Sequence, residues 1–148
     1  MNHPILSNKR ALSTYLAVWV ICALVQSTIL VLKTPVTLET ALVDCLLYWG
    51  VFGVLGLIIW YVVCYNNLEN RPFAFIALHL VVGVVATAIL VFKNWALSSF
   101  FLSMKVDFQI YFKQTVFFRF FNGLFSYAVM LFFYYMVIYR ERNKEITM

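Results

Sequence analysis

Four apolar runs, each about as long as a bilayer is thick, constrain this chain more than any other feature. A spanning α-helix needs roughly 20 consecutive, mostly apolar residues. The runs cover residues 11–32, 41–65, 72–92 and 115–139. None alternates apolar with polar residues as the strands of a membrane barrel do. In hydrocarbon each backbone N–H and C=O must find its partner within the protein, and a lone segment does that as a helix. The expected fold is therefore all-α and integral to the membrane, a four-transmembrane-helix bundle. Composition agrees. The chain is 64% hydrophobic and 11% charged, against roughly 45–50% and about 25% in soluble domains.

Three connections join the runs. "KTPVT" at residues 33–37 carries a proline that stops the first helix. "NNLENR" at residues 66–71 precedes Pro72, which is well placed to open the third. Residues 93–114 form a longer stretch in which aromatics mix with Lys93, Lys105 and Lys113. It reads as an interfacial amphipathic connection lying on the bilayer. Residues 1–10 form a polar N-terminal segment ending in Lys9 and Arg10. The run after them is too long for a signal peptide, and no small-x-small cleavage site closes it, so it reads as a retained span. Residues 11–139 then make up the membrane domain, and residues 140–148 the start of a cytoplasmic helix.

With four spans both termini share one side. That side carries six basic residues: Lys9, Arg10, Arg71, Arg140, Arg142 and Lys144. The other carries five: Lys33, Lys93, Lys105, Lys113 and Arg119. The excess is small, but Lys9 and Arg10 abut the first span, which usually dominates orientation. Both termini are therefore expected in the cytoplasm.

An ionisable residue inside a span is costly and normally faces the bundle interior, paired with another polar group. In this orientation Asp44 and Arg119 each lie about one turn into a helix at the outer side. Gln26 and Lys93 fall in the same layer. On the fourth run Arg119, Asn122, Gly123, Ser126 and Met130 follow one helical stripe, and His79, Gly83, Ala86 and Thr87 do so on the third. Small residues let helices approach closely, and Gly50, Gly53 and Gly56 narrow the second. An Asp44–Arg119 pair, with Gln26 and Asn122 nearby, is the expected intramembrane polar site. It reads either as a register lock or as a signal-responsive pocket. The phenylalanines around Arg119 add cation–π contacts while the guanidinium reaches toward water. Trp60, Trp95 and the tyrosines near span ends read as interface anchors.

Several classes of chemistry find no candidates. There is no Ser-His-Asp set, no glycine-rich phosphate loop, and no His/Cys/Asp/Glu cluster at ligand spacing. No catalytic residue, cofactor or metal is expected. Cys22, Cys45 and Cys64 are odd in number, lie in apolar runs and form no C-x-x-C, so they read as small buried residues. His79 stands alone and reads as a packed, hydrogen-bonded core histidine. The basic residues flank spans and form no phosphate-tracking run, so nucleic acid is not an expected partner.

The fourth run does not stop at the membrane edge. "YYMVIYRERNKEITM", residues 134–148, contains no glycine or proline. Phe132, Met136, Tyr139, Asn143 and Ile146 are spaced 4, 3, 4, 3, a heptad seam with one polar position. That seam suggests a parallel homodimer.

Three stretches carry a family resemblance: "ALVDCLLYWGVFGVLGLIIWYVVCY" at 41–65, "LHLVVG" at 78–83 and "FRFFNGLFSYAVMLFFYYMVIYRERNKE" at 118–145. With them the chain resembles the N-terminal four-span membrane domain of LytS-type bacterial sensor histidine kinases. The resemblance implies a sensor or anchor in the bacterial cytoplasmic membrane. It also implies transmission through the fourth helix to a cytoplasmic kinase, with a LytTR-type response regulator downstream. The family's phospho-accepting motif, Asn-Pro-His-Phe-Leu-Phe-Asn, is absent, and His79 lies inside a span. On this reading the segment senses and dimerises without catalysis. Two rival expectations are a small four-span transporter and a stand-alone membrane subunit or assembly factor.

Overall fold

The computed structural model describes residues 3–65, 72–102 and 108–146. They form four α-helices in chain order: α1 (Lys9–Lys33), α2 (Leu38–Tyr65), α3 (Pro72–Leu102) and α4 (Phe108–Ile146). All four are long and apolar enough to cross a membrane. The molecule is an all-α, multi-pass membrane protein.

Local chemistry explains the helix ends. The Asn8 side chain accepts the Arg10 N–H at 2.9 Å and caps α1. At the far end Thr34 is extended, with φ −135° and ψ 151°, as the residue before Pro35 prefers to be. The Thr37 hydroxyl accepts the Thr40 N–H at 3.3 Å and opens α2. Pro72 is the first residue of α3. The expected connection at 66–71 lies outside the described residues.

One boundary differs from the sequence reading. Most of residues 93–114 does not form a separate connection along the bilayer. Lys93 to Leu102 continue α3, and α4 begins at Phe108. No glycine or proline interrupts this stretch, and its polar residues follow helical spacing. Asn94, Ser98 and Leu102 are buried at i, i+4 and i+8, while Lys93, Phe100 and Phe101 point outward. Lys93 therefore stands apart from the polar residues it was grouped with. Residues 103–107 lie outside the described part.

Helix α2 is the centre of the bundle. It packs against α1, α3 and α4, and α3 packs against α4; α1 makes close backbone contact with α2 alone. Glycines set how near the neighbours come. The Tyr15 hydroxyl of α1 donates to the Gly53 carbonyl at 2.6 Å, and the Tyr134 hydroxyl of α4 donates to the Gly56 carbonyl at 2.8 Å. A Cβ at Gly56 would collide with the Tyr15 hydroxyl oxygen. Gly83 of α3 lies under the Tyr127 ring, and Gly123 of α4 lies against Thr87 and Tyr48.

Residues 3–8 fold over one end of the bundle. The His3 ring donates from Nε2 to the Leu57 carbonyl at 3.1 Å and accepts the Ile5 and Leu6 N–H groups at Nδ1, both at 3.2 Å. It sits 5.7 Å from the Trp60 ring and 6.1 Å from Tyr134. Trp60 is consequently buried and is not an interface anchor. Trp95 is partly exposed and donates to Gln109 Oε1 at 3.3 Å.

Candidate functional site: a buried ion pair held by three helices

Asp44 lies six residues inside α2, where hydrophobic neighbours would strand a lone carboxylate. It is not alone. Arg119 of α4 forms a salt bridge to it through Nη2, and both side chains are fully buried. Helix α3 supplies two more donors to Asp44 Oδ1: Asn94 Nδ2 at 2.9 Å and Ser98 Oγ at 2.8 Å. The Tyr111 hydroxyl of α4 donates to Oδ2 at 3.0 Å.

The arginine is held as firmly. Its Nε donates to Thr115 Oγ1 at 2.9 Å, and Nη2 also reaches the Tyr111 hydroxyl oxygen at 3.1 Å. Its guanidinium carbon lies 4.9 Å from the centroid of the Phe112 ring and 5.4 Å from that of Tyr111. From α2, the Tyr48 hydroxyl donates to the Arg119 carbonyl at 2.8 Å. Two atoms in the cluster are buried with no hydrogen-bond partner among the described residues: Arg119 Nη1 and Asn94 Oδ1.

The sequence reading placed Arg119 one turn into its helix with a route to water. The structure corrects this. Because α4 begins at Phe108, Arg119 lies about three turns inside it. Its surroundings are Asp44, two aromatic rings and two hydroxyls, not solvent.

Gln26 and Asn122 form a second, separate pair. Asn122 Nδ2 donates to Gln26 Oε1 at 3.1 Å, linking α4 to α1. The four residues named from the sequence thus make two pairs and not one site. His79 is packed as expected: its Nδ1 pairs with the Tyr127 hydroxyl at 2.9 Å, and its ring lies 4.3 Å from Phe75. On the fourth helix Phe132, Met136, Tyr139 and Asn143 are all exposed. Ile146 is helical, and its side chain lies outside the described part. All three cysteines are free thiols.

Chemically the cluster is a saturated carboxylate. An ionised carboxylate offers about four lone-pair positions. Asn94, Ser98, Tyr111 and Arg119 fill them. Among the described residues no group of three His, Cys, Asp or Glu could hold a metal ion.

Sequence reasoning found Asp44 and Arg119 but missed Asn94, Ser98, Tyr111, Thr115 and the hydroxyl of Tyr48. The signal was present in the spacing. Tyr111, Thr115 and Arg119 stand at i, i+4 and i+8 on α4, and Asn94 and Ser98 at i and i+4 on α3. Comparison of the chain with protein-family models, with curated proteins and with solved structures gave no match.

Proposed function

We propose that the chain is the membrane domain of a signalling protein, in which α4 carries the state of the bundle to the cytoplasmic side. The observation that carries this reading is the continuity of α4. One 39-residue helix holds Arg119 in the buried cluster near one end and exposes Met136 and Tyr139 toward the other. No proline interrupts it. A shift or rotation of Arg119 relative to Asp44 therefore moves the exposed seam as well.

Both termini face the cytoplasm of a bacterial inner membrane on this reading, with the seam pairing two copies in parallel. The resemblance to LytS-type sensors supports a histidine kinase following α4 and a LytTR-type response regulator beyond it. Switching requires a second arrangement of similar energy, biased by a ligand or by the membrane.

The test combines the two ends of α4. In a background without native cysteines, single cysteines at Met136, Tyr139, Asn143 and Ile146 should crosslink two copies better than those at Val137 and Arg140. Asp44→Asn should then change that pattern. Uniform crosslinking around the helix removes the seam. A seam that ignores Asp44→Asn leaves α4 an anchor and removes the transmission.

A further inference from the structure

The bundle is closed on three sides and open on the fourth. Helices α1 and α4 make no close backbone contact, and between them runs a groove of about 630 Å³. That is within the 300–1,000 Å³ range of ordinary ligand sites. Its α1 wall runs from Arg10 past Thr14 and Val18 to Cys22, and its α4 wall from Phe133 past Val129 to Phe125.

We propose that this groove binds one acyl chain of an anionic phospholipid from the surrounding membrane. Three observations converge on that occupant. The first is length. From Arg10 to Cys22 the helical rise gives about 18 Å, close to the ~15 Å hydrocarbon depth of one leaflet. The second is closure. Just beyond Cys22 and Phe125, the Gln26–Asn122 hydrogen bond at 3.1 Å ties α1 to α4. A helix about 10–12 Å across cannot lie in a gap pinned shut at one end, whereas a single hydrocarbon chain can.

The third is charge. Among the described residues the groove lining includes one charged residue, Arg10, and no acidic one. Arg10 is exposed in the first turn of α1, where the helix dipole also favours an anion. A phosphate at the mouth and an acyl chain in the groove satisfy both ends. This inference is independent of the signalling reading.

The test uses the whole chain in nanodiscs of equal parts phosphatidylglycerol and phosphatidylcholine, released into mild detergent for native mass spectrometry. One retained lipid is expected, with phosphatidylglycerol preferred by about five-fold, the effect of one surface cation. Arg10→Gln should abolish the preference but keep a retained lipid. Ser126→Trp, which fills the groove, should abolish retention. Because that variant could misfold, the wild-type chain gives a second readout. Maleimide labelling of Cys22, read peptide by peptide, should slow when phosphatidylglycerol replaces detergent. Equal retention of both lipids with Cys22 unprotected overturns the proposal. So does protection of Cys22 in a lipid-free dimer.

Discussion

The α2–α3–α4 side and the α1–α4 side of the molecule are both built from helices long and apolar enough to span a membrane, yet one is closed and the other open. On the closed side Asp44 gathers donors from two neighbouring helices, and Gly83 and Gly123 bring α3 and α4 within side-chain reach of each other. On the open side one amide–amide hydrogen bond spans the gap, and Phe125 and Phe133 of α4 stay exposed. Lipid tails are as apolar as leucine, so burying more leucine does not draw helices together in a bilayer. Polar complementarity and small residues decide where a bundle closes.

The strongest way to break the comparison is to strand one charge. Asp44→Leu and Arg119→Leu should each cost about 3–5 kcal/mol, the penalty for leaving a buried charge without its partner. The double substitution should recover part of that loss. Detergent unfolding of all four proteins forms the test, and strictly additive losses would mean that the two residues act separately.

A smaller effect is expected from packing. A Cβ on Gly123 would stand 2.7 Å from Thr87 Cγ2 and 2.9 Å from the Tyr48 hydroxyl oxygen, whereas one on Gly50 meets nothing within 4 Å. Gly123→Ala should destabilise by about 1–3 kcal/mol through overpacking. Gly50→Ala should be neutral or stabilise by up to about 1 kcal/mol through helix propensity. Equal effects in the same unfolding measurement would contradict the tight α3–α4 contact.

The open side sharpens the contrast from below. Gln26→Leu combined with Asn122→Leu should cost only about 0.6 kcal/mol, typical of an interhelical hydrogen bond in a membrane protein. A double-mutant cycle reads that coupling directly. A coupling as large as that of Asp44 and Arg119 would make the two sides equivalent.

What the sequence revealed follows the same physics. The spans were legible because hydrocarbon demands length, and Asp44 and Arg119 because a charge in an apolar run stands out. Asn94, Ser98 and Tyr111 were hidden because Lys93, Lys105 and Lys113 lower the local hydropathy and make their stretch read as surface. Hydropathy averages over all sides of a helix, so it cannot see a polar stripe turned inward. Trp60 was misplaced for a different reason: nothing in a polar N-terminus announces that His3 will fold back over it. The groove was invisible too, since the lack of close backbone contact between α1 and α4 leaves no mark in either run.

The order of synthesis gives the cluster a history. Asp44 leaves the ribosome 50 residues before Asn94 and 75 before Arg119. At about 5–20 residues per second, the aspartate waits roughly 4–15 s for its arginine. During that time α1 and α2 must stay in the bilayer with a carboxylate that has none of its final donors. Asp44 lies only six residues from the start of α2, about 9 Å along the helix, so the later helices need reach only that end to meet it. Helix α3 brings Asn94 and Ser98 to the carboxylate first, and α4 then adds Tyr111 and Arg119, so the cluster is completed donor by donor in chain order.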